Sequence, residues 1–423
     1  MKPTIAFHHF GCKVNFAEAS ALSRQFREKG YLLAGFHEKA DIYVISSCVV
    51  TSAAEKKCKA AIRQANRLNP DARIAVIGCF PELKADEVAA MQGVDVVLGH
   101  SAKFNLLEEL EGRGKKEEGR RKSHDFIPAY SSEERTRVFL KIQDGCDYYC
   151  AYCAIPLARG NSRSDTIDHL LKEAAEIVSS GVKEFVLTGV NIGDFGKQNG
   201  ETFYELISRL EQEISVPRIR ISSIEPDLLS DEIIELVASS GKFLPHFHIP
   251  LQSGSNKILK AMKRKYTQEL YADRIDKIRS RMPFACIAAD VIVGFPGETD
   301  EDFTETVDFV KTTAVSYVHV FSYSRRENTL AAKSAENCSP AEKKRRSDQL
   351  HDLSDRKKTR FYQSNRGREV SVLFESDNKD GFMHGFSENY LKVKTPYTPR
   401  LVNEIRRVKL EQLEEDLTYV VRW

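Results

Sequence analysis

Three closely spaced cysteines are the residues of this sequence best suited to chemistry. Cys146, Cys150 and Cys153 form the pattern C-x-x-x-C-x-x-C within DGCDYYCAYC. A structural zinc site normally has four ligands, and no histidine or fourth cysteine lies close to these three in the sequence. Three thiolates on one loop can instead hold three corners of a 4Fe–4S cluster and leave one iron open to a substrate or cofactor. The spacing therefore predicts a catalytic iron–sulfur cluster at this loop.

A second group of three cysteines is spread over the first eighty residues. Cys12 lies in FGCKVN, Cys48 in SSCVVT and Cys79 in IGCFPE, each directly after a predicted strand. The carboxyl ends of parallel strands share one sheet edge, so the three thiols are expected to gather there. Gly11 and Gly78 precede two of them and allow close backbone approach. The group predicts a second cluster with an open site, the alternative being buried structural cysteines.

The other cysteines, Cys58, Cys286 and Cys338, have no partner spacing and are expected to be structural. The total of nine is odd, and the N-terminal residues lack the charged-then-apolar pattern of a secretion signal. A disulfide framework is therefore not expected, and metal or redox chemistry is favoured for the clustered cysteines. The same features predict a cytoplasmic protein.

Composition excludes several classes of protein. The 423 residues are 41% apolar and 29% charged, which is unlike a disordered chain, a collagen or a coiled coil. The longest apolar runs, such as IAADVIVGF from Ile287, are too short to span a membrane. The net charge of +2 indicates no partner, but residues 341–368 hold ten Lys and Arg against four Asp and Glu. That stretch could follow a phosphate backbone or form a solvated helix.

Strand-like and helix-like segments alternate over residues 1–110, which predicts a doubly wound parallel sheet. Residues 111–135 are rich in charge and glycine and lack apolar periodicity, so they are interpreted as a linker. The alternation resumes over residues 136–365. Its six predicted strands are VFLKIQDG, EFVLTGV, RIRISSI, HFHIPL, CIAADVIVGF and YVHVFSYS. They fit a complete or partial (β/α) barrel with its active site at the carboxyl ends of the strands.

Residues 366–423 change to β-like alternation in REVSVLFES, NYLKVKTP and TYVVRW, which predicts a small all-β domain. The fold class is therefore α/β with an all-β appendix. Two or three domains are also what a chain of this length favours.

Three further segments follow the cysteine loop, and their order and spacing behind it are informative. Thr188 to Asn191 and Arg220 to Glu225 each close a predicted strand, and Val293 to Glu298 form a turn rich in glycine and proline. Each alone is an ordinary turn. Together with Tyr152 before the third cysteine, they resemble the radical S-adenosylmethionine (SAM) superfamily.

That resemblance makes Cys146, Cys150 and Cys153 the catalytic triad, because their cluster would cleave SAM. The residues that it implies for SAM binding are Thr188, Gly189, Asn191, Ser222, Glu225, Gln252 and Val293. His246 and His248 could be packed or could line the same pocket. Arg159, Arg163 and Arg264 could contact phosphate or carboxylate groups, although isolated arginines usually lie at the surface.

The whole arrangement, a three-cysteine N-terminal domain, a radical SAM barrel and a small β-domain, resembles the methylthiotransferase family. The segments FGCKVN, ISSCVVT, IGCFPE and IPLARGNSRS are most similar to the bacterial branch that acts on threonylcarbamoyladenosine in tRNA. The branch acting on isopentenyladenosine more often has Asn and Glu at the places held here by Lys13 and Ser162.

The resemblance implies that Cys12, Cys48 and Cys79 bind an auxiliary 4Fe–4S cluster that carries the inserted sulfur. It also implies that the chain modifies carbon 2 of N6-threonylcarbamoyladenosine at position 37 of the tRNA anticodon loop. Two SAM molecules would be used per turnover, with electrons from a one-electron reductant such as flavodoxin or ferredoxin. The C-terminal domain would be a TRAM-like RNA-binding domain on a monomeric protein without membrane contact.

Phe382, Tyr390 and Tyr397 could grip unstacked bases of the anticodon stem-loop or belong to the β-domain core. Three other functions remain open. The first is the same reaction on isopentenyladenosine-37, and the second is methylthiolation of an aspartate of a ribosomal protein. The third is a two-cluster electron carrier, which leaves the SAM-pocket segments unexplained.

Overall fold

The computed structural model describes residues 3–48, 52–112, 125–131 and 136–422. The N-terminal part is a five-stranded parallel sheet of order β2-β1-β3-β4-β5. Its strands are β1 Thr4–His9, β2 Leu32–Ala34, β3 Ile42–Ser47, β4 Arg73–Gly78 and β5 Val96–Leu98. Its helices are α1 Lys13–Glu28, α2 Ser52–Leu68, α3 Cys79–Leu83, α4 Ala85–Ala89 and α5 Leu106–Leu110.

The sequence of β3 explains its central place in this sheet. All six of its residues, IYVISS, are buried, as expected for a strand covered by helices on both faces. The edge strand β2 was not predicted. Its Leu32 and Leu33 are 56% and 47% exposed. The strand therefore has neither the buried apolar run nor the alternation of buried and exposed residues by which strands are predicted.

Six parallel strands in chain order form the central part of the fold. They are β6 Arg137–Lys141, β9 Glu184–Thr188, β10 Arg218–Ile221, β11 His246–His248, β12 Cys286–Val293 and β13 Tyr317–Ser322. Regular pairing joins β6, β9 and β10 on one side and β11, β12 and β13 on the other. Isolated parallel bridges between Ile219 and Phe243 and between Ser223 and His248 connect the halves. The structure is thus an open, partial (β/α) barrel, one of the two predicted forms.

Helices follow the barrel strands, and most of them cover the outer face of the barrel. They are α6 Ile155–Arg159, α7 Ile167–Ser179, α8 Phe203–Glu213, α9 Asp231–Ser239, α10 Asn256–Ala261, α11 Gln268–Arg281, α12 Asp300–Thr312 and α13 Pro340–Ser364. A short antiparallel pair, β7 Gln143–Asp144 with β8 Arg163–Ser164, brackets the cysteine loop. Because successive strand residues point to opposite faces, apolar residues such as Phe185 and Leu187 meet the helices. Glu184, Arg220 and Asp290 lie on the other face, in the barrel interior.

The C-terminal part is a six-stranded sheet of order β17-β14-β15-β16-β19-β18. Its strands are β14 Glu369–Phe374, β15 Phe382–Ser387, β16 Lys392–Pro396, β17 Ile405–Lys409, β18 Gln412–Leu413 and β19 Tyr419–Val420. The all-β prediction is confirmed. The sequence FMHGFS of β15 and the charged sequence IRRVK of β17 were not predicted as strands, because neither shows a clean run of β-forming residues.

This sheet packs against the barrel at the amino ends of the barrel strands. Arg220 donates hydrogen bonds to Glu184 Oε1 (2.9 Å) and to the main-chain oxygens of Ser387 (2.8 Å) and Glu388 (2.9 Å). The ring of Tyr390 lies 4.5 Å from that of His246. Tyr390 therefore belongs to an interdomain contact, whereas Tyr397 remains 37% exposed.

Most of the predicted linker, namely residues 113–124 and 132–135, lies outside the described residues, as do Val49–Thr51 of the SSCVVT segment. The described stretch 125–131 runs beside β6, where Tyr130 pairs with Leu140. The predicted domain boundaries remain predictions. Among the described residues, no helix combines the length and apolar character needed to cross a membrane.

Replacing Arg220 by Met should loosen the contact between the barrel and the C-terminal sheet. The variant loses three hydrogen bonds and leaves the buried carboxylate of Glu184 with one fewer cation. Proteolytic cleavage of the segment between α13 and β14 should therefore become about tenfold faster or more. Limited proteolysis followed by mass spectrometry measures this rate. Arg209→Met, which removes an exposed arginine paired with Asp168 and Glu213, is the matched control. Equal cleavage rates in both variants would contradict the assigned role of Arg220.

Candidate active site between two cysteine triads

The loop carrying Cys146, Cys150 and Cys153 joins β7 to α6. Cys153 N donates to Cys150 O (3.0 Å), and Cys146 N donates to Gly160 O (3.1 Å). Gly145 has φ +69°, and a Cβ atom there would lie 1.9 Å from the carbonyl oxygen of Asn161. Only glycine fits this turn, which sets the path of the loop from its first residue.

The three cysteines of this loop are partly buried. Burial raises the pKa of Cys146 and of Cys153 to about 12, and it also raises the pKa of Cys150. At neutral pH the metal-free thiols are thus protonated, and a bound metal must displace their protons. Arg264 Nη1 lies 3.1 Å from Cys150 Sγ and favours the thiolate form.

The second triad lies at the carboxyl edge of the N-terminal sheet, where β1, β3 and β4 are neighbours. Cys48 directly follows β3, and Cys79 directly follows β4. Gly11 passes so close to Cys48 that an added Cβ would lie 3.1 Å from its sulfur, which brings the adjoining Cys12 to the same place. Burial raises the pKa of Cys79, and the charge of Cys12 contributes in the same direction. The structure therefore brings the three predicted residues together.

Both triads suit a group larger than one metal ion. Within the described residues, two groups of His, Cys, Asp or Glu hold three ligand atoms within 4.8 Å of one another, and neither includes a cysteine. Ligands of a single zinc ion would lie within about 4 Å of one another. The all-sulfur donor sets and their wider spacing fit iron–sulfur clusters.

The two triads lie on opposite sides of one interface. Cys79 packs against Ala154 and Ala158, which belong to the segment directly after Cys153. Helix α3, which begins at Cys79, thereby contacts helix α6.

A buried ionic network fixes this interface. Arg159 donates to Glu18 Oε2 (3.0 Å) and Asp144 Oδ1 (2.8 Å), and it also contacts Asn15. Lys103 and Lys141 donate to the two oxygens of Glu18 at 2.5 and 2.8 Å. Further partners of Asp144 are Lys141, Arg163 and His100.

Although burial opposes ionisation of Glu18, the charges of Arg159, Lys103 and Lys141 hold its pKa well below the usual range. The pKa of Asp144 is likewise held low, against burial, by Lys141 and Arg159. Glu18 lies on α1, which begins directly after Cys12, and Asp144 lies two residues before Cys146. The network therefore ties the supports of both triads together.

The predicted SAM residues surround the barrel triad. Thr188 and Ser222 are buried at the ends of β9 and β10, and Gly189 has no room for a side chain because Gln143 Oε1 would lie 2.9 Å from its Cβ. That same oxygen accepts the N–H groups of Val190 (2.9 Å) and Asn191 (2.8 Å).

Glu225 pairs with Arg264, which connects this side of the pocket to Cys150, and burial raises the pKa of Glu225 to about 7. Sequence reasoning missed Gln143. The one available signal was a polar residue between a buried strand and the cysteine loop. The sequence alone predicts no specific contact for Arg264, because its partners are distant in sequence.

A cavity of about 220 Å³ opens beside this loop. It is lined by Tyr152, Cys153, Ala154, Ile155, Gln252, Asp290, Ile292, Phe321, Ser322, Tyr323, Ser324 and Arg326. Gln252 Oε1 and Tyr323 Oη are buried without a hydrogen-bond partner in the described part of the chain. Val293 lies just outside and accepts the Tyr323 N–H (2.8 Å). Unpaired buried polar atoms are costly, so the cavity fits a polar ligand such as SAM or a nucleoside.

Two triple variants should separate the metal sites. The wild-type chain should bind about eight iron atoms after anaerobic reconstitution, and replacement of Cys146, Cys150 and Cys153 by Ala should leave about four and abolish SAM cleavage. Replacement of Cys12, Cys48 and Cys79 should also leave about four irons but should preserve SAM cleavage. Iron assay and electron paramagnetic resonance measure both sites. Full iron content in the second variant would refute the auxiliary cluster, and Cys58→Ala serves as control.

Replacing Glu18 by Gln should weaken the interface. The change removes the carboxylate that pairs with three buried cations. The free energy of unfolding should therefore fall by about 3 kcal/mol or more, which corresponds to a fall in melting temperature of about 5 °C or more. Anaerobic thermal unfolding checks this. Glu213→Gln, on an exposed helix face, should leave the melting temperature nearly unchanged, and an equally small effect of Glu18→Gln would contradict the role of the network.

Comparisons with known proteins agree with this architecture. Residues 140–310 match the radical SAM superfamily, and residues 4–99 match a family described as uncharacterized protein family UPF0004. A threonylcarbamoyladenosine tRNA methylthiotransferase of Bacillus subtilis is 38% identical over 96% of this chain and 93% of that protein. One from Aquifex aeolicus is 37% identical over 92% and 96%. A tRNA-2-methylthio-N(6)-dimethylallyladenosine synthase of Pelotomaculum thermopropionicum is 33% identical over 94% and 92%.

Among solved structures, the fold is similar to that of the radical SAM methyltransferase TsrM from Kitasatospora setae, solved with cobalamin and a [4Fe-4S] cluster. The TM-score is 0.57 with 13% identity, over 78% of this chain and 77% of that one. At this identity the similarity concerns the fold alone.

Proposed function

Because the chain belongs to the radical SAM methylthiotransferase family, we propose that it inserts a methylthio group at carbon 2 of N6-threonylcarbamoyladenosine-37 in tRNA. The relatives of 36–38% identity act, by their names, on threonylcarbamoyladenosine, and the dimethylallyladenosine synthases are 31–33% identical. The chain is a radical SAM enzyme that uses SAM and 4Fe–4S clusters.

The observation that carries this proposal is the contact between α3 and α6. It holds the two cysteine triads on either side of one interface, and a cavity opens beside Cys153 of the barrel triad. An electron carrier needs no cavity with unpaired polar groups, and a simple SAM-cleaving enzyme needs no second triad. Insertion of sulfur into a C–H bond needs both.

A cluster held by Cys146, Cys150 and Cys153 would, together with SAM, supply the radical chemistry needed at carbon 2, and a cluster held by Cys12, Cys48 and Cys79 would supply the sulfur. The residues of the chain hold these groups and the substrate in place. Gln143 and Gly145 set the loop of the barrel triad, Arg264 stabilises charge at Cys150, and Arg159 fixes the opposite triad against it. The buried side chains around the site exclude water from a reactive intermediate.

The RNA partner is expected to meet the exposed basic residues of α13 and the C-terminal sheet. Arg346 is unsuited to this, because it is buried and donates to Glu298 Oε2 (2.7 Å). Exposed cations of this region include Lys344, Arg356, Arg360 and Arg366. We further propose that the enzyme works as a monomer in the cytoplasm and receives electrons from a one-electron reductant such as flavodoxin or ferredoxin.

Nucleoside mass spectrometry of tRNA tests the function. A strain lacking this gene should lose methylthio-threonylcarbamoyladenosine and accumulate its precursor, and the wild-type gene should restore it while Cys153→Ala should not. Loss of the methylthio derivative of isopentenyladenosine instead would change the substrate and leave the chemistry intact. If no tRNA nucleoside changes, the proposed function is wrong and a protein substrate becomes the leading alternative.

A further inference from the structure

We propose that Lys13, His248, Asp290 and His319 form a recognition site for the polar N6 substituent of the substrate base. These four residues are named the interior polar site. The inference rests on the proposed function, and it assigns the choice between threonylcarbamoyladenosine and isopentenyladenosine to particular side chains.

Three of these residues lie side by side on neighbouring strands of the barrel interior. Asp290 on β12 is in register with His319 on β13, and His248 on β11 lies beside them. His248 Nε2 is 2.9 Å from Asp290 Oδ1, and the rings of His248 and His319 are 5.7 Å apart in an edge-to-face arrangement. Asp290 also lines the cavity next to Cys153. Through Asp290, the group therefore borders the cavity beside the barrel triad.

Lys13 faces this group from the N-terminal domain. It is the first residue of α1, directly after Cys12. Lys13 lies close enough to Asp290 and His319 of the barrel interior for its charge to act on both. Lys13 makes no hydrogen bond or ion pair with the residues that the structure describes, whereas Arg137 is paired with Glu375 and Arg220 with Glu184. Lys13 is thus the cation of this interior that has no carboxylate partner.

The chemistry of the two possible substituents differs sharply. Threonylcarbamoyl carries a carboxylate, a hydroxyl and urea N–H groups, whereas isopentenyl is entirely apolar. Lys13 can neutralise the carboxylate, and the histidines and Asp290 can donate to and accept from the hydroxyl and urea groups. An apolar substituent bound there would cover these partly exposed side chains without offering them partners, which is how polar sites reject analogues.

The geometry also allows another reading, because the ligand atoms of His248, Asp290 and His319 lie within 4.8 Å of one another, close enough to hold a metal ion. Two of them already share a hydrogen bond, and an uncompensated ammonium lies nearby. A neighbouring cation opposes binding of a metal ion and favours an anionic ligand. Metal analysis decides between the two readings.

The test measures equilibrium binding by the reconstituted enzyme without reductant, so that no turnover occurs. Fluorescence anisotropy would compare anticodon stem-loop RNAs that carry threonylcarbamoyladenosine, isopentenyladenosine or adenosine. Lys13→Met and His319→Leu should each weaken binding of the threonylcarbamoyl RNA about ten- to a hundredfold and leave binding of the adenosine RNA nearly unchanged. Lys13→Arg should restore much of the preference, and Lys29→Met, at the exposed opposite end of α1, should bind as the wild type does.

If the Lys13→Met variant loses iron because Lys13 adjoins Cys12, the His319→Leu variant still tests the recognition site. Unchanged preference in both variants, while the wild type still methylthiolates threonylcarbamoyladenosine, would overturn the inference alone. A wild type that neither prefers nor modifies that RNA would overturn the proposed function instead. A non-iron metal bound once per chain and lost in His319→Leu would replace the recognition site by a metal site.

Discussion

Two buried carboxylates, Glu18 and Asp144, impose the constraint on which the rest of the site depends. Neither can stay ionised in the interior without cations close by, since an unpaired buried charge costs several kcal/mol. Glu18 lies on α1, and the cations that pair with the two carboxylates come from the short helical turn after β5, from β6 before the cysteine loop and from α6 after it. Satisfying two charges therefore requires four distant segments to meet. The meeting point is the interface between the two cysteine triads.

The barrel shows the same coupling of charge to architecture. Its outer face is apolar and packs against helices, whereas its interior holds arginines, histidines and acids. Most of these charged groups are paired within the interior or with a flanking domain. The C-terminal sheet supplies main-chain oxygens to Arg220 at one end, and α1 places Lys13 from the other direction. The two flanking domains complete the interior chemically as well as covering it.

Much of this arrangement follows from the sequence because it depends on local patterns. The buried strands that carry Cys48 and Cys79 are continuous apolar runs, and the C-x-x-x-C-x-x-C spacing is short enough to identify directly. The strands β2, β15 and β17 could not be predicted, since their pairing depends on neighbours rather than on their own residues. The ionic network could not be predicted from the sequence for another reason. Arg159 and Glu18 are 141 positions apart, and singly each is typical of a surface residue.

The wide spacing of the thiols bears on competition among metals in a cell. By the Irving–Williams order, zinc binds a nitrogen or sulfur site more tightly than ferrous iron does, so affinity alone would favour the wrong ion. Neither triad offers a single ion three sulfurs within 4.8 Å among the residues that the structure describes. A lone zinc ion would have to draw the loops inward against Gly145 and the Arg159 network. The spacing of the thiols thus favours a bound group larger than one ion.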